Sequence, residues 1–230
     1  MNVAIVVAGG KGTRFGGNRP KQFVELHGLP VIIHTLTQFE RARKIDQVVV
    51  ALPVEEAAAY QSLPTEYDLK KICRIVPGGE TRARSVRHAL ATIDKADVVA
   101  VHDGVRPLVT PEEIDRTVTA AEEFGAAILV APVADTIKKT NETGVVETID
   151  RRNLRRALTP QCFHFQTLKR AYDQLDELER AGVEVTDDSF LVERLGINVN
   201  VVEGSARNIK ITNEADFALA EAILKADIRC

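Results

Sequence analysis

Asn2-Val3-Ala4-Ile5-Val6-Val7-Ala8-Gly9-Gly10-Lys11-Gly12-Thr13-Arg14-Phe15-Gly16-Gly17-Asn18-Arg19-Pro20-Lys21-Gln22-Phe23 opens the chain. Val3 to Val7 is an unbroken apolar run, the pattern of a strand buried on both faces. It leads straight into a loop with five glycines, Gly9, Gly10, Gly12, Gly16 and Gly17, and four cations, Lys11, Arg14, Arg19 and Lys21. Glycine has no Cβ, so a ligand can come close to the backbone. Free backbone N–H groups and clustered cations make a cradle for a polyanion. The stretch therefore reads as a strand delivering a loop that wraps the phosphates of a nucleotide.

Outward from that stretch, apolar runs alternate with helical patterns, which predicts an α/β fold with a mostly parallel sheet and flanking crossover helices. Further strands are expected at Gln47 to Ala51, Ile72 to Val76, Val98 to Val101, Ala126 to Val130 and Val199 to Val202. Helices are expected at Val31 to Arg43, Glu55 to Leu63 and Thr81 to Ile93. Thr110-Pro111-Glu112-Glu113 is a capping box with proline at the first helical position, and Gly125 ends that helix. Leu168, Ala171, Tyr172, Leu175 and Leu178 form a helical stripe that stops near Gly182. Thr186-Asp187-Asp188-Ser189 opens another helix, and a last one runs from about Asn213 to Lys225. One segment breaks the alternation. Thr136 to Thr140 and Val145 to Ile149 flank Asn141-Glu142-Thr143-Gly144, a hairpin signal. Its alternation is poor on both faces, so it is expected to project from the body. A lone two-stranded hairpin is barely stable in water, which suggests a second subunit as its support. Residues 1–230 read as one domain, with residues 133–157 as the arm.

Composition narrows the classes. The 230 residues are 45% hydrophobic and 27% charged, ordinary for a soluble globular protein. A net charge of −3 leaves no global basic field for nucleic acid. No run approaches the ~18 apolar residues of a membrane span, and the N-terminal apolar run ends in glycines, not in a signal-peptide cleavage site. Cys73, Cys162 and Cys230 lie too far apart for a metal site or a disulfide framework, which points to a reducing, cytoplasmic setting. His27, His34, His88, His102 and His164 show no ligand spacing and read as structural. Asp187 and Asp188 read as helix N-terminal acids favoured by the dipole. Arg152, Arg155 and Arg156 read as a solvated basic face.

Two phosphate motifs fail on the opening loop. A Walker A loop needs Ser or Thr after Gly-Lys, but Gly12 follows Gly10-Lys11. The dinucleotide fingerprint needs a third glycine where Phe15 stands, and an acid at the end of the second strand, where Ala51-Leu52-Pro53 has none. What stands is Gly9-Gly10-Lys11-Gly12-Thr13-Arg14 followed by Pro20-Lys21, which resembles the signature of nucleotidyltransferases that activate sugar or polyol phosphates. Further segments follow in order: Gly78-Gly79-Glu80-Thr81-Arg82-Ala83-Arg84-Ser85-Val86, His102-Asp103-Gly104-Val105-Arg106-Pro107, Pro132-Val133-Ala134-Asp135-Thr136-Ile137-Lys138, Asp150-Arg151, Leu158-Thr159-Pro160-Gln161 and Asn208-Ile209-Lys210-Ile211-Thr212. Together, over almost the whole chain, they resemble the cytidylyltransferase family of the methylerythritol phosphate route to isoprenoids.

That resemblance implies a three-layer Rossmann-like nucleotidyltransferase fold. It implies transfer of a cytidylyl group from CTP to 2-C-methyl-D-erythritol 4-phosphate, with release of pyrophosphate. A sister family acting on ribitol 5-phosphate shares nearly every motif. The attacking phosphate oxygen is already ionised at neutral pH, so no general base is needed. The difficulty is an anion attacking an anion, and catalysis is then positioning plus positive charge. By resemblance, Arg14, Lys21 and Lys210 supply that charge. Asp103 holds Mg²⁺ or another divalent cation. The nucleotide lies along Ala8, Gly9, Gly10, Gly12, Gly79, Ser85 and Asp103. The polyol phosphate is held by Arg106, Thr136 and Arg151, the last two reaching across from a neighbour's arm in a homodimer. One departure stands out. The family carries an acid shortly before its terminal lysine, but here Gly204-Ser205-Ala206-Arg207-Asn208 has none, and Glu203 is out of register. The chain stops at Cys230 soon after its last helix, so fusion to the later cyclising enzyme of the route is not expected.

Overall fold

The computed structural model describes residues 1–9 and 20–228. Gly10, Gly12, Arg14 and Cys230, named above, lie outside the described residues. The first strand, β1 (Val3–Val7), is buried at every position. Its side chains alternate between two cores, because successive residues of a strand point to opposite faces. Val3, Ile5 and Val7 enter one core, and Ala4 and Val6 the other. A strand packed on both faces must be apolar throughout, which is why the run carries no alternation. Each fully buried Val or Ile there contributes about 1.5–3 kcal/mol relative to exposure.

After β1 the described chain resumes at Pro20 and turns through a short 3-10 segment, Lys21–Phe23. A small antiparallel pair, β2 (Glu25–Leu26) and β3 (Leu29–Pro30), leads into α1 (Val31–Arg41). Then come β4 (Gln47–Leu52), α2 (Val54–Ala57), α3 (Leu63–Glu66), β5 (Ile72–Pro77) and α4 (Arg82–Leu90). The expected helix over residues 55–63 is thus two short helices, separated by residues 58–62. Next are β6 (Val98–Asp103), α5 (Pro111–Phe124) and β7 (Ala126–Pro132). The capping box at Thr110 and Glu113 is present, and Gly125 ends α5 at φ 86°, a left-handed conformation suited to glycine.

The hairpin is β8 (Ile137–Asn141) and β9 (Gly144–Ile149), paired antiparallel. The Asn141 side-chain oxygen accepts from the backbone N–H groups of Thr143 and Gly144 and so closes the turn. Val145 and Val146 at its tip are exposed. The chain continues as β10 (Arg155–His164), α6 (Phe165–Asp173), α7 (Leu175–Arg180), α8 (Asp188–Glu193), β11 (Asn200–Glu203) and α9 (Glu214–Ile228).

Seven strands form the main sheet in the order β11-β7-β10-β6-β1-β4-β5. All neighbours are parallel except β10, which runs antiparallel to both β6 and β7. Helices α4, α6, α7 and α8 cover the face bearing Val3 and Ile5, and α1 and α5 the face bearing Ala4 and Val6. The result is the expected three-layer, Rossmann-like sandwich. No helix among the described residues is long and apolar enough to cross a membrane.

Strand β10 is a correction to the sequence reading, which assigned no strand there; Arg155 and Arg156 are exposed, as expected. Its first half is basic, and Pro160 interrupts it, a feature that normally demotes a run. The structure places Pro160 where the register between β10 and β7 shifts, between Ala157 and Gln161. Such irregularities are where a sheet tolerates proline. Arg155 pairs with Glu203 of β11 at 2.6 Å, so its charge links two elements.

Candidate active site

The carboxyl ends of β1, β4, β5 and β6 converge, as open α/β sheets require at a ligand crevice. Val7 sits in register with Asp103 across the β1–β6 pair. Beyond it, Gly9 approaches Gly78 so closely that a Cβ on Gly9 would lie 2.9 Å from the Ser85 hydroxyl and 3.6 Å from the Gly78 Cα. A side chain at Gly9 would crowd the Ser85 hydroxyl, so glycine suits this close approach. Gln22 ties the returning chain back to this point, its amide donating to the Ala8 carbonyl at 2.7 Å. Ser85 is buried in α4. Its hydroxyl accepts from the Gly79 N–H at 3.0 Å and donates to the Thr81 carbonyl at 2.9 Å. It thus pins the glycine turn to the helix. Gly9, Gly78, Gly79, Thr81, Arg84 and His88 help line a cavity of about 910 Å³ beside this turn, large enough for a nucleoside.

Asp103 ends β6 and is almost fully buried. Among the described residues, three cations meet its carboxylate. Arg82 Nε donates to Oδ1 at 2.8 Å, while Lys210 Nζ and Arg106 Nε reach Oδ2 at 3.0 and 3.4 Å. Burial opposes the charge on Asp103, but Arg82, Lys210 and Arg106 outweigh it and hold the carboxyl well below the ordinary range. Lys210 comes from more than a hundred residues away, and backbone bonds bring it in. Ile211 N–H donates to the Val105 carbonyl at 2.9 Å. The Asn208 carbonyl accepts from Arg106 Nη1 at 2.9 Å, and its side-chain amide donates to the Thr159 carbonyl at 3.0 Å. Asn208 Oδ1 is buried with no hydrogen-bond partner among the described residues. Upstream, the Ser205 N–H donates to Glu113 at 2.6 Å, the same glutamate that closes the α5 capping box.

Lys21 opens the 3-10 turn, and Asp216 near the start of α9 feels its charge. Burial opposes ionisation of Asp216, yet hydrogen bonds from Thr212 and Asn213, with Lys21, hold it below the ordinary carboxylate range. Thr136 and Arg151 are exposed at the base of the arm, and Arg151 donates to the Ala134 carbonyl. No hydrogen bond or ion pair among the described residues joins either of them to Asp103.

The histidines behave as structural groups where the described contacts bear on them. His102 is completely buried. Thr159 Oγ1 accepts from the Asp103 N–H at 3.2 Å and lies 2.9 Å from His102 Nδ1, to which it donates. The ring proton then sits on Nε2, facing the Arg106 carbonyl at 3.3 Å. Burial pushes the His102 pKa down to about 3, so it is neutral at any working pH. The unfolded chain binds a proton near pH 6.5 and the folded one does not. The contribution of His102 to stability is therefore complete above pH 6.5 and is lost as the pH falls toward 3, at about 1.4 kcal/mol per unit. Urea unfolding from pH 7 to 4 is expected to show that slope, reduced by about one proton in His102→Gln; an identical slope in the variant would contradict this account.

Two residues of this cluster escaped the sequence reading. Arg82 lies inside a quoted motif, but only Gly79 and Ser85 of that motif received roles. Asp187 caps α8 as expected, accepting from the Phe190 N–H at 3.0 Å. Asp188 is more than a dipole acid: it is fully buried, accepts from Arg82 Nη2 at 2.8 Å and from Tyr172 Oη at 2.5 Å. No single-sequence signal separates it from its neighbour Asp187.

The donor set was compared with what a hard cation needs. Among the described residues there is no cluster of three or more His, Cys, Asp or Glu fit to hold a metal alone, and Glu203 is engaged by Arg155. Mg²⁺ is commonly held by one or two carboxylates plus substrate phosphates. Among the described residues, Asp103 Oδ1 accepts from Arg82 alone, which leaves it lone-pair capacity. One carboxylate at a polyphosphate crevice fits that mode.

Residues 2–226 match the 2-C-methyl-D-erythritol 4-phosphate cytidylyltransferase family. The chain belongs to that family. The enzyme of that name from Bacillus velezensis is 43% identical over 226 residues, covering 98% of this chain and 96% of its own. The crystal structure of 4-diphosphocytidyl-2C-methyl-D-erythritol synthase from Anaerococcus prevotii superposes with a TM-score of 0.85 at 30% identity, over 97% of this chain and 96% of that one. The family member from Thermus thermophilus gives a TM-score of 0.78 at 33% identity, over 97% and 98% of the two chains.

Proposed function

We propose that this chain transfers the cytidylyl group of CTP to 2-C-methyl-D-erythritol 4-phosphate, releasing pyrophosphate and forming 4-diphosphocytidyl-2-C-methyl-D-erythritol for isoprenoid precursor synthesis in the cytoplasm. The observation that carries this reading is the Asp103 carboxylate ringed by Arg82, Arg106 and Lys210, at the end of the strand paired with β1 in a family member. Cytosine lies against Gly9, Gly79 and the turn that Ser85 braces. The triphosphate lies along the opening loop, with Ala8, Gly10 and Gly12 supplying backbone and Arg14, Lys21 and Lys210 supplying charge. Asp103 holds a divalent cation, Mg²⁺ first among the candidates, which when bound neutralises phosphate charge. Arg106 takes the acceptor phosphate, and Thr136 and Arg151 complete that subsite from the arm of a second copy in a homodimer.

The residues' work follows from charge. Among the described residues, Arg82, Arg106 and Lys210 form ion pairs with Asp103 and Asp188, three cations to two carboxylates. That surplus of positive charge would favour a triphosphate, and Asp103 would hold a cation that arrives with it. As the acceptor phosphate oxygen bonds to the α-phosphorus, negative charge crowds around it, and the pyrophosphate oxygen leaves as an anion. Cations already held in place stabilise that crowding without reorganising. A neutral His102 takes no part.

The test is pyrophosphate release by the purified chain, with CTP, ATP, GTP or UTP offered against methylerythritol phosphate and ribitol 5-phosphate. Turnover is expected with CTP and methylerythritol phosphate, at least about a hundredfold above the other pairs in kcat/KM; a site that hydrogen-bonds a substrate group can reject an analogue lacking it by more than that. Faster turnover of ribitol 5-phosphate would overturn the proposed acceptor.

A further inference from the structure

Asp103 is held by a second carboxylate that it never touches. Arg82 occupies the first turn of α4, just after its Thr81 cap. Its guanidinium spans two elements, with Nε on Asp103 of β6 and Nη2 on Asp188 of α8, both at 2.8 Å. Asp188 is itself fixed. Tyr172 Oη donates to its Oδ1 at 2.5 Å, and the Gln161 side chain on β10 accepts from the Asp188 and Ser189 N–H groups, both at 3.0 Å. Gln161 also donates to the Asp187 carboxylate at 2.8 Å. The anchor is therefore rigid on three sides.

A planar guanidinium can offer two parallel donors to one carboxylate. Here it does not. Asp188 takes one arm of the fork, and Asp103 receives a single bond from Arg82 on Oδ1. We infer that Asp188, acting through Arg82, is a positioning residue that keeps Asp103 Oδ1 open to a divalent cation carried in with the nucleotide. This rests on the metal role proposed for Asp103. Without Asp188, the Arg82 fork is free to close on Asp103 with both arms, which uses the lone pairs the cation needs and places a whole positive charge against it. Partners that orient a metal ligand in this way typically change metal affinity by about 10–100-fold when altered.

The experiment is a double-mutant cycle on the full-length protein, with Mn²⁺ binding read by electron paramagnetic resonance in the presence of CTP and without acceptor. Asp188→Asn is expected to weaken Mn²⁺ binding about tenfold in the parent. In an Arg82→Lys background it is expected to change it less than twofold, because an ammonium has no second arm to close. Should Asp188→Asn fail to give folded protein, Tyr172→Phe takes its place, with a shift of at least twofold expected in the parent and none beside Arg82→Lys. Equal shifts in the two backgrounds, or no shift in the parent, would overturn the inference. The readout does not depend on turnover. Failure of the proposed reaction appears separately, as a parent protein that binds Mn²⁺ and CTP but releases no pyrophosphate. A parent that binds no Mn²⁺ with CTP overturns both the metal role and this inference.

Discussion

Asp103→Asn is expected to lower pyrophosphate release about a thousandfold at saturating CTP and metal, the upper range for removing one preorganised electrostatic group. The substitution keeps the shape and removes the charge. Arg106 and Lys210 then lose the one carboxylate that each contacts in the cluster, and Arg82 retains only Asp188. The three cations repel one another, and the strand end offers a neutral amide where a hard cation needs an anionic oxygen. Stability should fall as well, since breaking a buried ion pair from one side costs about 3–5 kcal/mol. The two effects are separable: urea unfolding reports the second, and single-turnover assays on protein shown to be folded report the first. Because the surrounding cations hold the Asp103 carboxyl well below its ordinary range, its favourable contribution is present above about pH 4 and is lost only as the pH falls through its depressed folded value. The activity profile of the parent should therefore show no carboxylate limb from Asp103 between pH 5 and 8. A folded Asp103→Asn protein within tenfold of the parent rate would remove Asp103 from the mechanism.

Lys210→Ala is the second large effect expected. The ammonium stands 3.0 Å from Asp103 and is partly exposed toward the crevice. In the reaction proposed above, ground-state CTP is met by the backbone and cations of the opening loop. In the proposed reaction Lys210 answers the charge that grows as the acceptor oxygen approaches the α-phosphorus, so its loss should fall on kcat. A drop of about 10²–10³ in kcat is expected, equivalent to about 3–4 kcal/mol of transition-state stabilisation, with the KM for CTP changed by only a few-fold. Lys21→Ala should divide its effect the same way. Equal losses in kcat and in CTP affinity for Lys210→Ala would make it a binding residue only. Folding is not the confounder it is at Asp103, because the Lys210 side chain is far more solvent-exposed.

The elements differed in how far local pattern could reveal them. Strand β1 was legible because burial on both faces demands a continuous apolar run. Helix α5 was legible to its ends, since Thr110, Glu113 and Gly125 each satisfy backbone groups locally. The hairpin was legible from Asn141 and Gly144. Strand β10 was not, because its basic start and Pro160 violate the local rule, and pairing with β6 and β7 supplies the stabilisation that its composition lacks. The family motifs named Asp103 and Lys210, and the fold brings their side chains to 3.0 Å of each other.

By itself, the sequence determined the layered α/β plan, the glycine loop at the end of β1 and the family, since each rests on order and spacing along the chain. Only the tertiary structure decided what Arg82 and Asp188 do. Arg82 and Asp188 are 106 residues apart, and the geometry that joins them to Asp103 is set by the meeting of a strand end with two helix starts. An ion pair has no signature in spacing: its strength comes from distance and from the removal of water, and both are fixed only when α4, β6 and α8 pack together.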